Sequence, residues 1–124
     1  MRTVNITPSD GFVQGSDLTY TVPILNESTD LPQDMTGWTL LWKMWDQDGT
    51  AKLNKTATAV NYSATKDGFQ WTIADTDTIS ALGAETIAEG LYRHEGWRVD
   101  EGNEVCLFKG DVHLLASDRR QETS

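Results

Sequence analysis

Hydrophobic and polar positions alternate over short stretches of this chain, most clearly at residues 37–46. There Trp38 and Trp42 fall on one side of the alternation, whereas Lys43 and Trp45 fall on the other. A repeat of two indicates a half-buried β-strand, because successive side chains of a strand point to opposite faces. A strand with so many indole rings needs a second layer to cover them, so we predict that this one is central.

The same alternation marks further strands that are separated by turn residues. The predicted strands lie at residues 2–6, 17–25, 37–46, 50–62 (as one or two weaker strands), 69–74, 91–100 and 104–115. Pro23 has no N–H group to donate, which places the second strand at an edge or at a bulge. In the last strand the apolar positions change phase around Lys109 and Gly110, which predicts a bulge there.

This pattern predicts an all-β fold of about seven strands, namely a two-sheet antiparallel β-sandwich of immunoglobulin-like topology. A small closed barrel is the competing arrangement. One short helical turn is expected near 75–82, and Tyr92 is a candidate for the tyrosine corner of sandwich folds. We expect residues 1–115 to form a single domain and 116–124 to form a polar C-terminal tail.

Composition narrows the classes of function. The formal net charge of −9 argues against binding to nucleic acid, which needs clustered basic residues. Neither a signal peptide nor a run of apolar residues long enough to span a membrane is apparent, so we expect a soluble protein made in a cytoplasm. The single cysteine, Cys106, excludes an internal disulfide, and we interpret it as a buried small hydrophobe.

No motif of catalytic or cofactor chemistry is apparent, so we expect neither enzymatic activity nor a cofactor. His94 and His113 fall within predicted strands that form a hairpin, which could bring them near each other. Two histidines without a carboxylate on the same face make a poor zinc site, and we predict no bound metal. The acidic clusters lie at turns, where carboxylates accept hydrogen bonds from backbone amides.

Two tryptophans are candidates for exposure and therefore for contact with another molecule. Trp38, Trp42 and Trp71 fall on apolar faces, whereas Trp45 and Trp97 do not. Outward indole rings serve as anchors for a protein partner, where Trp is enriched, or as platforms for a sugar ring. We favour a protein partner for Trp45 and Trp97 and keep a carbohydrate as the alternative.

Four stretches together resemble the small immunoglobulin-like β-sandwich domains of tailed-bacteriophage structural proteins. They are Leu-Thr-Tyr-Thr-Val-Pro-Ile (18–24), Met-Thr-Gly-Trp-Thr-Leu-Leu-Trp-Lys-Met (35–44), Gly-Leu-Tyr-Arg-His-Glu-Gly-Trp-Arg-Val-Asp-Glu-Gly-Asn-Glu-Val (90–105) and Gly-Asp-Val-His-Leu (110–114). Such domains include capsid decoration modules and the N-terminal domain of upper baseplate proteins.

The resemblance implies a non-enzymatic virion structural protein, in the first place a capsid decoration or cement protein that binds the assembled particle. A tail, neck or baseplate adaptor and a carbohydrate- or protein-binding adhesive module are the alternatives. It also implies other virion proteins, of capsid or tail, as partners and a homo-oligomer such as a trimer. The acidic charge and the lack of a long apolar run, by contrast, are what predict no contact with nucleic acid or membrane. The expected location is the virion. Because its motifs are structural, the resemblance specifies fold better than function.

Overall fold

A computed structural model describes residues 2–79 and 86–117, and its regular structure is almost entirely β. The strands are β1 (Arg2–Thr3), β2 (Leu18–Pro23), β3 (Leu40–Trp45), β4 (Ala51–Val60), β5 (Gly68–Ile73), β6 (Gly90–Asp100) and β7 (Asn103–Leu114). Two single 3₁₀ turns, Pro8–Asp10 and Asp75–Asp77, complete the described elements. The all-β prediction is therefore confirmed.

Two predictions reach beyond the described residues. The helical turn expected near 75–82 is present as the 3₁₀ turn Asp75–Asp77, while its last positions lie outside the described part of the chain. Most of the predicted tail 116–124 lies outside it too. Within the described ranges, no helix has the length and apolar character needed to cross a membrane.

The seven strands form one mixed sheet in the order β1-β7-β6-β3-β4-β5-β2. Every pair of neighbours is antiparallel except β1 and β7, which run parallel. The prediction of a purely antiparallel arrangement is wrong at this pair. Parallel neighbours need a long crossover connection, and here the whole of β2 to β6 provides it. All strands belong to one sheet, so a division into two sheets is not confirmed.

The sheet curls along β4, which is one strand of ten residues. Its first part pairs with β3 as far as Ala57, and its last part, from Thr58 to Val60, pairs with β5. One long strand therefore belongs to both halves of the sheet. The half that contains β3, β6 and β7 thereby faces the half that contains β5 and β2, and the apolar side chains between them form the core.

The core contains the indole rings on which the sequence analysis depends. Trp42 on β3 stacks on Trp71 on β5, with ring centroids 5.0 Å apart and planes 15° apart. Leu40, Trp42 and Met44 alternate with less buried residues along β3, as predicted. Trp38, by contrast, precedes β3 and is only half-buried, with the guanidinium carbon of Arg98 4.1 Å from its ring centroid. Its assignment to the core is therefore only partly right.

The edge strand β2 carries Pro23, as predicted, since β2 pairs only with β5 among the described strands. The β7 bulge is real but misplaced in the prediction. Gly96 pairs with Phe108 and Trp97 with Cys106, so the extra residue is Leu107. A Cβ atom at Gly96 would lie 2.0 Å from the Phe108 ring, so the absence of a side chain there lets Phe108 enter the core.

The bulge also corrects the prediction for Cys106, which is half-exposed and not part of the core. Because Leu107 is the extra residue, Cys106 lies opposite Trp97 and shares its outward face. Tyr92 behaves as the tyrosine-corner prediction requires. Its hydroxyl donates to the carbonyl of Ala88, four residues upstream. This bond fixes the entry into β6.

Candidate functional site

The outer face of β3 and β6 carries both tryptophans that the sequence analysis selected. Trp97 lies opposite Leu41, and Trp45 lies opposite Arg93. The two tryptophans are therefore four residue levels apart on neighbouring strands, or roughly 14 Å between Cα atoms at standard strand spacing. Both are half-buried, in contrast to Trp42, which has the opposite phase on the same strand.

Trp45 and Trp97 line the same shallow cleft, of about 440 Å³. We call it the tryptophan cleft, and its principal side chains are Leu41, Lys43, Trp45, Glu95, Trp97 and Val99. The sequence placed both rings on the outer face, and the register of β3 and β6 brings them into one cleft. Aliphatic side chains and two indole rings on an accessible sheet face form a surface suited to contact with another molecule.

Two charged residues lie in the middle of this cleft. Lys43 pairs with Glu95 across β3 and β6, between the levels of the two tryptophans. The carboxylate of Glu95 accepts a hydrogen bond of 2.8 Å from the indole nitrogen of Trp97. This bond restrains the Trp97 ring before any ligand arrives, which reduces the entropy lost on binding. Apolar rings around a carboxylate and an ammonium group fit a mixed apolar and polar ligand surface.

A second cleft of about 370 Å³ adjoins the first and shares Trp45 and Glu95 with it. It is more polar, because Arg93, Lys109 and Asp111 contribute to its walls. Trp45 therefore lies between an apolar cleft and a polar one. Indole rings next to an arginine are typical of protein interfaces, where Trp and Arg are enriched.

His94 is 0 % exposed, so its side chain belongs to the core and is not accessible from either cleft. Its Nδ1 accepts a hydrogen bond of 2.9 Å from the indole nitrogen of Trp42. Its Nε2 lies 2.7 Å from the carbonyl oxygen of Val4, to which a neutral ring protonated at Nε2 donates. Both ring nitrogens are thus used, and the neutral imidazole fits both partners.

The carbonyl group of Val4 contacts the His94 ring next to Gly110, where β7 carries no side chain. A Cβ atom at Gly110 would lie 1.8 Å from the Val4 carbonyl oxygen, so a side chain at this position would block the approach. The backbone N–H of Asp111 donates instead to the side-chain oxygen of Asn5, at 3.0 Å. The side-chain oxygen of Asn5 thus accepts the hydrogen bond from β7, while the Val4 carbonyl points inward to the His94 imidazole.

Burial lowers the pKa of His94 below its usual value, while the bond to Val4 and the charges of Asp111 and Glu95 act in the opposite direction. Lys109 and Arg93 lie around the same cleft. The pKa of a histidine side chain in an unfolded chain is about 6.5. Because the pKa of His94 is lower in the folded protein, the unfolded state binds the proton more readily. The contribution of His94 to the free energy of unfolding is therefore fully present above about pH 6.5 and decreases as the pH falls below that value.

We therefore expect the free energy of unfolding to decrease between about pH 6.5 and pH 5. Urea denaturation at pH 7.5 and at pH 5 measures this decrease. The variant His94→Gln, which lacks the titrating ring, is expected to show a smaller difference between the two pH values, whereas His113→Gln retains it. An equal pH dependence in the wild type and in His94→Gln would contradict this role of His94.

The other predicted histidine does not join His94. His94 pairs with Gly110, whereas His113 pairs with Leu91, three levels along the hairpin. His113 is half-buried and His94 fully buried, so the strands do not bring the two rings together. Throughout residues 2–79 and 86–117, no three His, Cys, Asp or Glu side chains are grouped so that they could hold a metal ion.

Sequence reasoning missed the contact of His94 with Trp42 and Val4. A signal was present, because His94 has the same strand phase as Tyr92, the predicted corner residue. Gly110, in the interior of a predicted strand, was a second signal, since a strand glycine often marks a close approach of another backbone.

The chain matches no known protein-family model, and no curated protein matches it. The likeness to phage structural domains therefore stays a prediction from the sequence.

Proposed function

We propose that this chain is a non-enzymatic structural protein of a tailed-phage virion that docks on the assembled particle through its tryptophan cleft. The observation that carries the proposal is the presence of Trp45 and Trp97, both half-buried, in one cleft on the outer sheet face. Aromatic anchors of this kind provide most of the binding energy of protein interfaces. A capsid decoration or cement role comes first, and a tail, neck or baseplate adaptor is the alternative position.

The proposed setting includes the finer fold and the assembly state. The stacking of Trp42 on Trp71 supports a relation to the two-layer immunoglobulin-like sandwich, because strands from opposite halves of the curled sheet meet there. A homo-oligomer such as a trimer would repeat the tryptophan cleft, so that several weak contacts act together on a repeating particle surface. Other virion proteins of capsid or tail are the proposed partners, and the virion is the proposed location.

A direct test is protein identification in purified particles. If the proposal is right, peptides of this chain are found by mass spectrometry in gradient-purified tailed particles, and an antibody against the chain labels them in electron micrographs. Light scattering of the purified protein at micromolar concentration gives the mass expected for an oligomer. Absence of the chain from purified particles would overturn the proposal.

The role of the cleft is tested by the double variant Trp45→Ser with Trp97→Ser. We expect binding to purified particles that lack the chain to weaken by about 30-fold or more, because a hot-spot truncation costs about 2 kcal/mol or more. The matched control is Tyr62→Ser, since Tyr62 is an aromatic residue that is 57 % exposed and lies outside the cleft. Equal binding of the double variant and the control would show that the cleft is not the docking surface.

A carbohydrate-binding adhesive module is the second candidate. The observation in its favour is the pairing of an indole ring with a hydrogen-bonded carboxylate, Trp97 with Glu95, beside Lys43. Sugar rings stack on indole faces, and their hydroxyl groups bond to such charged side chains. Titration of a panel of glycans against tryptophan fluorescence distinguishes the candidates. A saturable change that disappears in the Trp45 and Trp97 variants would favour the sugar.

A further inference from the structure

A second surface, separate from the tryptophan cleft, lies between the two edges of the curled sheet. There the connection from β2 to β3 faces the first part of β7 across a groove of about 840 Å³. We call it the edge groove, and its principal apolar side chains are Ile24, Leu25, Trp38, Val105 and Leu107. Leu25 is 43 % exposed and Val105 51 % exposed, which is unusual for large apolar residues that border the same groove.

One wall of the edge groove is a strand edge. β7 begins at Asn103, but β1 pairs with it only at Phe108 and Lys109. Along Asn103–Leu107, β7 has β6 on one side and no strand of residues 2–79 or 86–117 on the other. A strand edge in this state offers backbone N–H and C=O groups to an additional strand.

The opposite wall of the edge groove, formed by the connection from β2 to β3, is held by internal hydrogen bonds. Leu25 forms a bridge with Pro32, and the backbone N–H of Gln33 donates to the carbonyl of Ile24 at 2.9 Å. The side-chain oxygen of Asn26 also accepts bonds from Ser28 and Thr29. A ligand therefore enters a groove whose walls are largely formed, and less entropy is lost on binding than in a flexible loop.

The charges around the groove select the occupant. Among the described residues that line it, Glu27 and Asp30 are acidic and Arg2 is basic, and the Arg2 guanidinium donates to the carbonyl of Pro23. At its margin the guanidinium of Arg98 lies over the Trp38 ring. The whole chain carries a formal net charge of −9. At this groove a second copy, which is acidic as well, would be repelled, whereas a basic segment of another protein is attracted.

We propose that the edge groove binds an extended, basic and apolar segment of a partner protein, which adds as a strand beside Asn103–Leu107 in line with β1. Alternate side chains of the segment cover Val105 and Leu25. Its basic side chains approach Glu27 and Asp30. The edge groove shares no lining residue with the tryptophan cleft, although Cys106 of the groove pairs with Trp97 of the cleft across β6 and β7, so each surface has its own test.

Cys106 serves as the reporter, because it lines the groove and is the single cysteine of the chain. The probe is a blocked hexapeptide of alternating lysine and valine, and its control is the same peptide with glutamate in place of lysine. We expect saturating Lys-Val peptide to slow maleimide labelling of Cys106 by about fivefold or more, since a paired edge strand covers this position. The Glu-Val peptide is expected to leave the rate unchanged. Protection by both peptides alike, or by neither, would overturn the proposal.

Variants of groove residues test whether the peptide binds in the edge groove. Val105→Lys and the double variant Glu27→Gln with Asp30→Asn are each expected to weaken peptide protection by about tenfold, the first by repulsion and the second by loss of attraction. Each variant is compared with and without peptide, so that a changed basal labelling rate is accounted for. Leu91→Lys, at an exposed apolar position of β6 outside the groove, and Asp48→Asn are the matched controls and retain protection.

Amide NMR spectra give a second readout, in which the Lys-Val peptide shifts the signals of Arg2 and of residues 103–107. Shifts confined to Trp45 and Trp97 would overturn the edge-groove assignment. A doubled particle mass by light scattering without peptide, together with protected Cys106, would show instead that a second copy occupies the groove. The Trp45→Ser with Trp97→Ser variant retains peptide binding if the two surfaces are independent, as proposed.

Discussion

Replacing Trp42 with alanine is expected to lower the free energy of unfolding by about 3–5 kcal/mol, as large core truncations do. Trp42 is 0 % exposed, and its ring stacks on Trp71 with centroids 5.0 Å apart. Its indole nitrogen also donates to His94 at 2.9 Å, so the variant leaves a cavity and removes a buried hydrogen bond together. Urea denaturation at pH 7.5, followed by circular dichroism, measures the loss.

The matched control is Trp45→Ala, which removes the same side chain from the same strand but from the outer face. We expect it to cost about 1 kcal/mol or less, because Trp45 is half-buried at the surface. If Trp42→Ala does not fold, Trp42→Phe gives a measurable intermediate loss. A loss below about 1 kcal/mol for Trp42→Ala would contradict its position at the centre of the core.

Replacing Gly110 with alanine is expected to be the second large effect, with a loss of about 1–3 kcal/mol or more, as in overpacked sites. The added Cβ would lie 1.8 Å from the carbonyl oxygen of Val4, which is backbone and cannot turn aside as a flexible side chain does. The N-terminal segment must therefore move away from β7. His94 then loses its bond to Val4, and the packing of the buried Ile6 side chain in the core loosens as well.

Hydrogen exchange distinguishes this local effect from a general loss of stability. We expect the amides of Val4 and Ile6, which donate to Lys109 and Asp111 at 2.8 Å, to exchange much faster in Gly110→Ala. Amides of β5 are expected to change only as the global stability changes. Lys109→Ala, at an exposed neighbouring position, is the control and leaves the N-terminal amides protected. Equal acceleration in β5 and in the N-terminal segment would contradict the local explanation.

Strand positions and faces were predictable because they depend on local alternation. The inward phase of Trp42 on β3 and of Trp71 on β5 follows directly from the sequence, and both are buried. The parallel pairing of β1 with β7 was not predictable in this way, because the local sequence of a strand does not indicate which other strand it pairs with. The bulge was expected beside Gly110 but lies at Leu107, because the packing of Phe108 over Gly96 determines its position.

The candidate site was predictable in part for the same reason. The outward phase of Trp45 and Trp97 was visible in the sequence, but their common cleft depends on the register between β3 and β6. The edge groove was not predicted at all, because it needs the start of β1, the first part of β7 and the β2–β3 connection to meet in space. Contacts between residues so distant in sequence follow from topology and not from local pattern.

The pairing of β1 with β7 has a kinetic consequence. The contact between Asn5 and Asp111 spans 106 positions, and contacts of such long range form slowly because a large loop must close first. During translation, Asn5 leaves the ribosome long before Asp111 is synthesised. The polar backbone groups of the N-terminal segment therefore stay unpaired with β7 until late in synthesis, and we expect docking of the first strand to complete folding.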